Sequence, residues 1–228
     1  VKNIAQSLTD LRHEIAACAR EHGRDATAVS LLAVSKKQPV AAIRAALDAG
    51  QTDFGENYLQ EALDKMTALA DSHACWHFIG PLQSNKTRAV AEHFDWVHTL
   101  DRDKVARRLS EQRPADRPPL NVCIQVNISA EASKSGVDPA RLPELAATIS
   151  SLPGLRLRGL MALPAPTVDF EAQRRPFRQL RETFEQLRAG GLELDTLSLG
   201  TSADFAAAIA EGSTLVRLGT AVFGARPG

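Results

Sequence analysis

The spacing of apolar positions changes after the first two dozen residues. In residues 1–22, Ile4, Leu8, Leu11 and Ile15 recur every three or four positions, which predicts an amphipathic helix. After Gly23, short apolar runs alternate with longer amphipathic stretches. The runs cover 29–34, 53–55, 76–79, 96–100, 121–128, 155–162, 196–199 and 214–218. The second is short and contains glycine. The stretches between them predict helices over 39–49, 57–70, 84–93, 102–112, 139–151, 170–189 and 203–210. Pro39 opens the first of these and Gly50 closes it. Asp138 and Asp169 offer N-caps, and Gly190, Gly191 and Gly212 are stop signals.

Strands alternating with helices predict a parallel sheet with helical crossovers. Eight such units match the closed (β/α)8 TIM barrel of roughly 250 residues, here with an extra N-terminal helix. The rival is an open doubly wound sheet. Against it, no Gly-x-Gly-x-x-Gly opens the first unit. The loop 113–119 carries three prolines and reads as an exposed connection. No composition shift marks a second domain, so residues 1–228 are expected to form one domain.

Charge narrows the partners. Lys+Arg and Asp+Glu both total 27, which leaves no excess of positive charge for phosphate backbones and argues against a general nucleic-acid binder. No apolar run is long enough to span a membrane, and the N-terminus lacks a signal-peptide core. Cys18, Cys75 and Cys123 read as reduced, mostly buried thiols of a cytoplasmic protein.

In a barrel of this kind, function sits at the carboxyl ends of the strands. There the sequence places Ser35-Lys36-Lys37, Gly55-Glu56-Asn57-Tyr58, the stretch from Gly80 to Lys86, Asn127-Ile128-Ser129, and Met161. The last two loops are Ser198-Leu199-Gly200-Thr201-Ser202 and Arg217-Leu218-Gly219-Thr220. Glycine and small hydroxyl residues let backbone N–H groups approach an anion. Ser202 also stands where a helix is expected to begin. Loops after strands seven and eight are where barrels often bind phosphate. Strand one neighbours strand eight in a closed barrel, so a lysine at the end of strand one shares that mouth. A lysine amine freed by desolvation can form a Schiff base with an aldehyde. A phosphate-bearing aldehyde that condenses with lysine points to pyridoxal 5′-phosphate (PLP). Periodicity does not separate Lys36 from Lys37, because both faces of the preceding run are apolar. Arg217 reads equally as a contact to the pyridine nitrogen or as the partner of a barrel carboxylate.

The strings LLAVSK, FGENY, HFIGPLQSNK, SKSG, GLMALPAP and SLGTSADFAAAIAEGSTLVRLGTAVFGAR resemble the pyridoxal phosphate homeostasis protein family across nearly the whole chain. The resemblance implies a PLP-binding (β/α)8 barrel similar to the N-terminal barrel of alanine racemase. It puts the Schiff base on Lys36. It also implies phosphate contacts from Ser198, Ser202, Gly219 and Thr220, a ring-nitrogen contact from Arg217, and Asn57 beside the cofactor. Leu199 and Thr201 depart from the pattern, which usually has methionines there.

The function implied is intracellular PLP homeostasis: buffering the cofactor and delivering it to apo-enzymes, as a monomer, without a robust reaction. The alternative is a racemase-like PLP enzyme. Racemisation by the alanine racemase route needs a lysine and a tyrosine from a separate C-terminal domain. This chain ends at Gly228, soon after the eighth strand, and its single tyrosine, Tyr58, is expected to pack between helix and barrel. A metal site on His73, Cys75 and His77 lacks a fourth ligand, so no metal is expected. The basic stretches 104–108 and 174–188 read as solvated helix faces with acidic neighbours.

Overall fold

The computed structural model describes residues 3–129 and 135–225. Its eight strands are β1 (Ser30–Val34), β2 (Asp53–Glu56), β3 (Cys75–Phe78), β4 (Trp96–Leu100), β5 (Leu120–Gln125), β6 (Leu155–Met161), β7 (Thr196–Ser198) and β8 (Leu215–Leu218). Every neighbouring pair is parallel, and β8 closes on β1, with Leu32 beside Arg217. The open-sheet alternative is thereby excluded. The short second run is a full member of the barrel, paired to β1 and β3.

Helix α1 (Ile4–Glu21) precedes β1, capped by the Asn3 side chain on the Gln6 N–H. The crossovers are α2 (Val40–Asp48), α3 (Leu59–Ala68), α4 (Thr87–His93), α5 (Asp103–Gln112), α6 (Leu142–Ser150), α7 (Phe170–Ala189) and α8 (Phe205–Ala210), and α9 (Thr220–Phe223) follows β8. Asp169 caps α7 as expected, accepting from the Ala172 N–H. Several boundaries differ from the sequence expectation, among them the starts of α3 and α8 and the end of β5. α3 begins at Leu59 rather than at 57. α8 begins at Phe205 rather than at 203, because Asp204 turns back to accept from the Thr201 N–H and hydroxyl. β5 ends at Gln125, after which Val126 pairs with Val137 in an isolated bridge. The proline-rich loop is tied down: Arg113 donates to the Ala91 and Phe94 carbonyls, and Arg117 to Asp95 and the Glu92 carbonyl.

Side chains alternate between lumen and helix layer. Phe54, Phe78, Val97, Val122 and Ile124 face outward and bury against the helices. The opposite faces line the lumen, which is unusually polar. His77, His98, Ser198 and Arg217 are all buried there, and the Arg158 guanidinium stacks 4.7 Å from the Trp96 ring. Buried polar groups are tolerable only if hydrogen-bonded.

Candidate functional site

One further step of the same alternation builds the mouth. At the carboxyl ends of the strands, Val34, Lys36, Asn57, Ile79, Met161, Arg217 and Gly219 line a cavity of about 210 Å³. Leu163, Thr201, Ser202 and Thr220 complete its wall. Lys36 is half-buried at this wall, whereas Lys37 is exposed and has a left-handed backbone, φ 61°. The closed barrel thus separates the two lysines that periodicity could not.

A buried polar cluster behind the wall fixes the loop that carries Lys36. Ser35 and Glu56 face outward, toward α3. The Ser35 hydroxyl donates to Glu56 Oε1 at 2.6 Å. Lys65 of α3 donates to Glu56 Oε1 at 2.7 Å, to the Ser35 carbonyl at 2.8 Å and to Glu61 at 2.6 Å. Glu61 in turn accepts from the Lys37 N–H at 2.5 Å. Burial pushes the Glu56 carboxyl above its ordinary range, with Lys65 and Ser35 pulling the other way. The Glu61–Lys65 spacing of four residues on one helix was the sequence signal for this cluster, and sequence reasoning missed it.

The opposite wall is built from the loops after β7 and β8, joined where the Arg217 N–H donates to the Gly200 carbonyl. Gly200 has φ +95°, and a Cβ there would lie 2.8 Å from Ala208 Cβ and 2.9 Å from Phe205 Cα. Only glycine lets this loop lie against α8. Gly80 has a similar role across the mouth, where a Cβ would sit 2.1 Å from the Asn57 carbonyl oxygen.

Arg217 is 5 % exposed. Its guanidinium donates to the Ser198 carbonyl, to Ser198 Oγ at 2.8 Å and to the Ala162 carbonyl at 3.0 Å. These partners are neutral, so the carboxylate ion pair weighed for Arg217 is not what holds it. Burial lowers its pKa to about 10, which leaves it a cation at neutral pH. Of the residues proposed for the phosphate, Ser202, Gly219 and Thr220 line the cavity. Ser198 is elsewhere: it is fully buried, and its Oγ is engaged by Arg217 and by His98 Nδ1 at 2.8 Å. Asn57 is at the wall, and its Oδ1 is buried with no hydrogen-bond partner.

Other expectations fall away from the mouth. Tyr58 is 52 % exposed rather than packed between helix and barrel. His73 is exposed and outside β3, and the ligand-type atoms that approach one another are those of Asp53, Cys75 and His77. Leu199 is core, and Thr201 lines the cavity. Residues 133 and 134 of the SKSG string lie outside the described residues.

An amine, a guanidinium, small hydroxyl and glycine loops, apolar walls and an unpartnered amide oxygen are a donor set that fits a phosphorylated aromatic aldehyde. The whole barrel, residues 6–227, matches the family described as "Alanine racemase, N-terminal domain", which defines its class. Within that class, the chain is 58 % identical over 226 residues to the pyridoxal phosphate homeostasis protein of Pseudomonas aeruginosa, covering 99 % of this chain and 97 % of that one. It is 55 % identical over 229 residues to the protein of the same name from Escherichia coli, covering 99 % and 98 %. PipY of Synechococcus elongatus, solved with PLP bound, superposes with a TM-score of 0.86 at 38 % identity, covering 97 % of this chain and 100 % of that one. The chain belongs to the pyridoxal phosphate homeostasis protein family.

Proposed function

We propose that this protein binds PLP at the barrel mouth and serves in PLP homeostasis, holding the cofactor on Lys36 and releasing it to apo-enzymes. The observation that carries this reading is the convergence of Lys36, Arg217 and the loops after β7 and β8 on one cavity. When bound, PLP would supply an aldehyde for the Lys36 amine to hold covalently and reversibly. Gly219, Thr220 and Ser202 would hold the phosphate, and Arg217 would stand toward the pyridine nitrogen. A guanidinium there disfavours a proton on that nitrogen and so weakens the ring as an electron sink. Asn57 Oδ1 offers an acceptor to a ring substituent.

The reading favours a carrier over a catalyst. Among the described residues at the cavity, Lys36 is the one amine, and the other polar side chains are Asn57, Thr201, Ser202, Arg217 and Thr220. Racemisation requires a second base across the substrate carbon, and none of these is suited to that task. No helix of the described residues is long and apolar enough to cross a membrane. We take the protein to act in the cytoplasm as a monomer.

Borohydride reduction of the PLP-loaded protein followed by peptide mass spectrometry tests the assignment. The adduct is expected on Lys36, retained in Lys37→Ala and lost in Lys36→Ala. A protein that gains no visible absorbance with added PLP overturns the proposal. In deuterated solvent, the loaded protein is expected to exchange no amino-acid Cα hydrogen, and steady exchange would restore the racemase reading.

A further inference from the structure

We infer that Asp53, His77, His98 and Ser198 are positioning residues for Arg217, joined in a one-way hydrogen-bonded chain that crosses the barrel from its amino-terminal end to the cavity. The inference rests on the PLP reading for its purpose, but not for its geometry.

Five groups and four short contacts make the chain. Arg217 Nη1 lies 2.8 Å from Ser198 Oγ. Ser198 Oγ lies 2.8 Å from His98 Nδ1. His98 Nε2 lies 2.9 Å from His77 Nδ1, and His77 Nε2 lies 3.0 Å from Asp53 Oδ1. The residues come from β8, β7, β4, β3 and β2. His77, His98 and Ser198 are almost wholly buried, while the Asp53 side chain is 38 % exposed at the far end.

The donor inventory orients the two ends of the chain. A guanidinium only donates, so Arg217 gives a proton to Ser198 Oγ. A carboxylate only accepts, so His77 Nε2 carries the hydrogen toward Asp53. In the same direction, His77 accepts at Nδ1 and His98 Nε2 carries the hydrogen. A neutral His98 accepts at Nδ1, which requires the Ser198 hydroxyl to donate to it. Each of the three intervening groups accepts once and donates once, running Arg217 to Ser198 to His98 to His77 to Asp53. Full burial, with the Arg217 cation nearby, keeps His98 well below the ordinary imidazole range and therefore neutral. Around the chain, Trp96 stacks on the His77 ring at 5.3 Å, Cys75 Sγ lies 3.4 Å from His77 Nε2, and Thr52 donates to the second Asp53 oxygen at 2.8 Å.

The chain solves a problem for the site. A buried cation with only neutral partners is costly. Aligned hydrogen bonds polarise one another, so the Asp53 carboxylate supports the guanidinium through three intervening groups. Together with the bonds to the Ser198 and Ala162 carbonyls, the chain occupies three of the five Arg217 donors and fixes the plane of the guanidinium.

Nitrogen-15 NMR of the histidine rings in the PLP-free protein at pH 7 tests the chain directly. Both His77 and His98 are expected neutral with hydrogen on Nε2. An imidazolium, or hydrogen on Nδ1, at either ring overturns the inference. Ser198→Ala severs the chain beside Arg217. It is expected to shift the His98 ring signals, weaken PLP binding roughly tenfold and move the bound-cofactor absorbance, with Ser198→Thr restoring all three. Wild-type affinity and absorbance in Ser198→Ala, or no recovery in Ser198→Thr, also overturns it. If the wild-type protein takes up no PLP, the proposed function fails, and the histidine signals alone still decide the chain.

Discussion

Glu56 is fully buried, and Lys65 with its two carboxylates supports the loop that carries Lys36. Removing one member of a buried ion pair leaves a bare charge and costs about 3–5 kcal/mol. Lys65→Met is therefore expected to destabilise the protein by that order in urea unfolding, and Glu56→Gln combined with it should recover part of the loss. Because Glu61 also holds the Lys37 N–H, surviving Lys65→Met protein should bind PLP more weakly than wild type. At this scale the sequence was informative about residue type and less so about orientation. Lys36, Asn57, Ser202, Arg217, Gly219 and Thr220 all reach the cavity. Ser198 does not, because alternation along β7 turns its hydroxyl into the lumen floor, where His98 waits. Nothing local to Ser198 marks that partner.

At the scale of elements, the rhythm of strands and helices was legible because it follows from short-range periodicity. The errors lie where a side chain overrides it, as at Asp204, whose turn on Thr201 delays α8. The basic stretch of α7 holds more than a solvated face. Arg174 and Arg178 each donate to Glu211 Oε1 at 2.8 Å, and Arg181 lies 3.3 Å from Oε2 without hydrogen-bond geometry. Glu211 is the residue after α8 and is fully buried. Burial raises its pKa, but the Arg178 and Arg174 hydrogen bonds outweigh that and hold the carboxyl below its ordinary range. A depressed carboxylate contributes stability above its unfolded pKa and loses it as pH falls through the folded value. Glu211→Gln should cost about 2 kcal/mol at pH 7, discounted for the partly exposed arginines. The gap between variant and wild type should close below about pH 4, as followed by thermal unfolding.

At the scale of the molecule, β8 pairing with β1 makes the cavity, since it sets Arg217 and Gly219 beside Val34 and Lys36. α1 reinforces that seam from outside. Leu8, Leu11 and Ile15 bury against the barrel's helix layer, and Arg24, just past α1, donates to the Ile209 carbonyl of α8 at 2.8 Å. Leu8 has no exposed surface, so Leu8→Ala should cost about 2–4 kcal/mol. It should leave the PLP absorbance of the folded protein unchanged, which calorimetry and spectroscopy on one sample can check.

The sequence by itself determined the element rhythm, the barrel class, and which residue types stand at the carboxyl ends of the strands. Those depend on periods of two and near four, which any stretch of ten residues displays. Only the tertiary structure decided that Glu211 gathers three arginines and that a chain of hydrogen bonds underlies Arg217, and it turned Lys36 to the cavity and Lys37 to solvent, which periodicity left open. His98 and Ser198 lie 100 positions apart, and they meet only because closure brings β4 and β7 across one lumen. Contacts of that separation leave no mark on local pattern, because each partner taken alone is an ordinary buried polar residue on a strand.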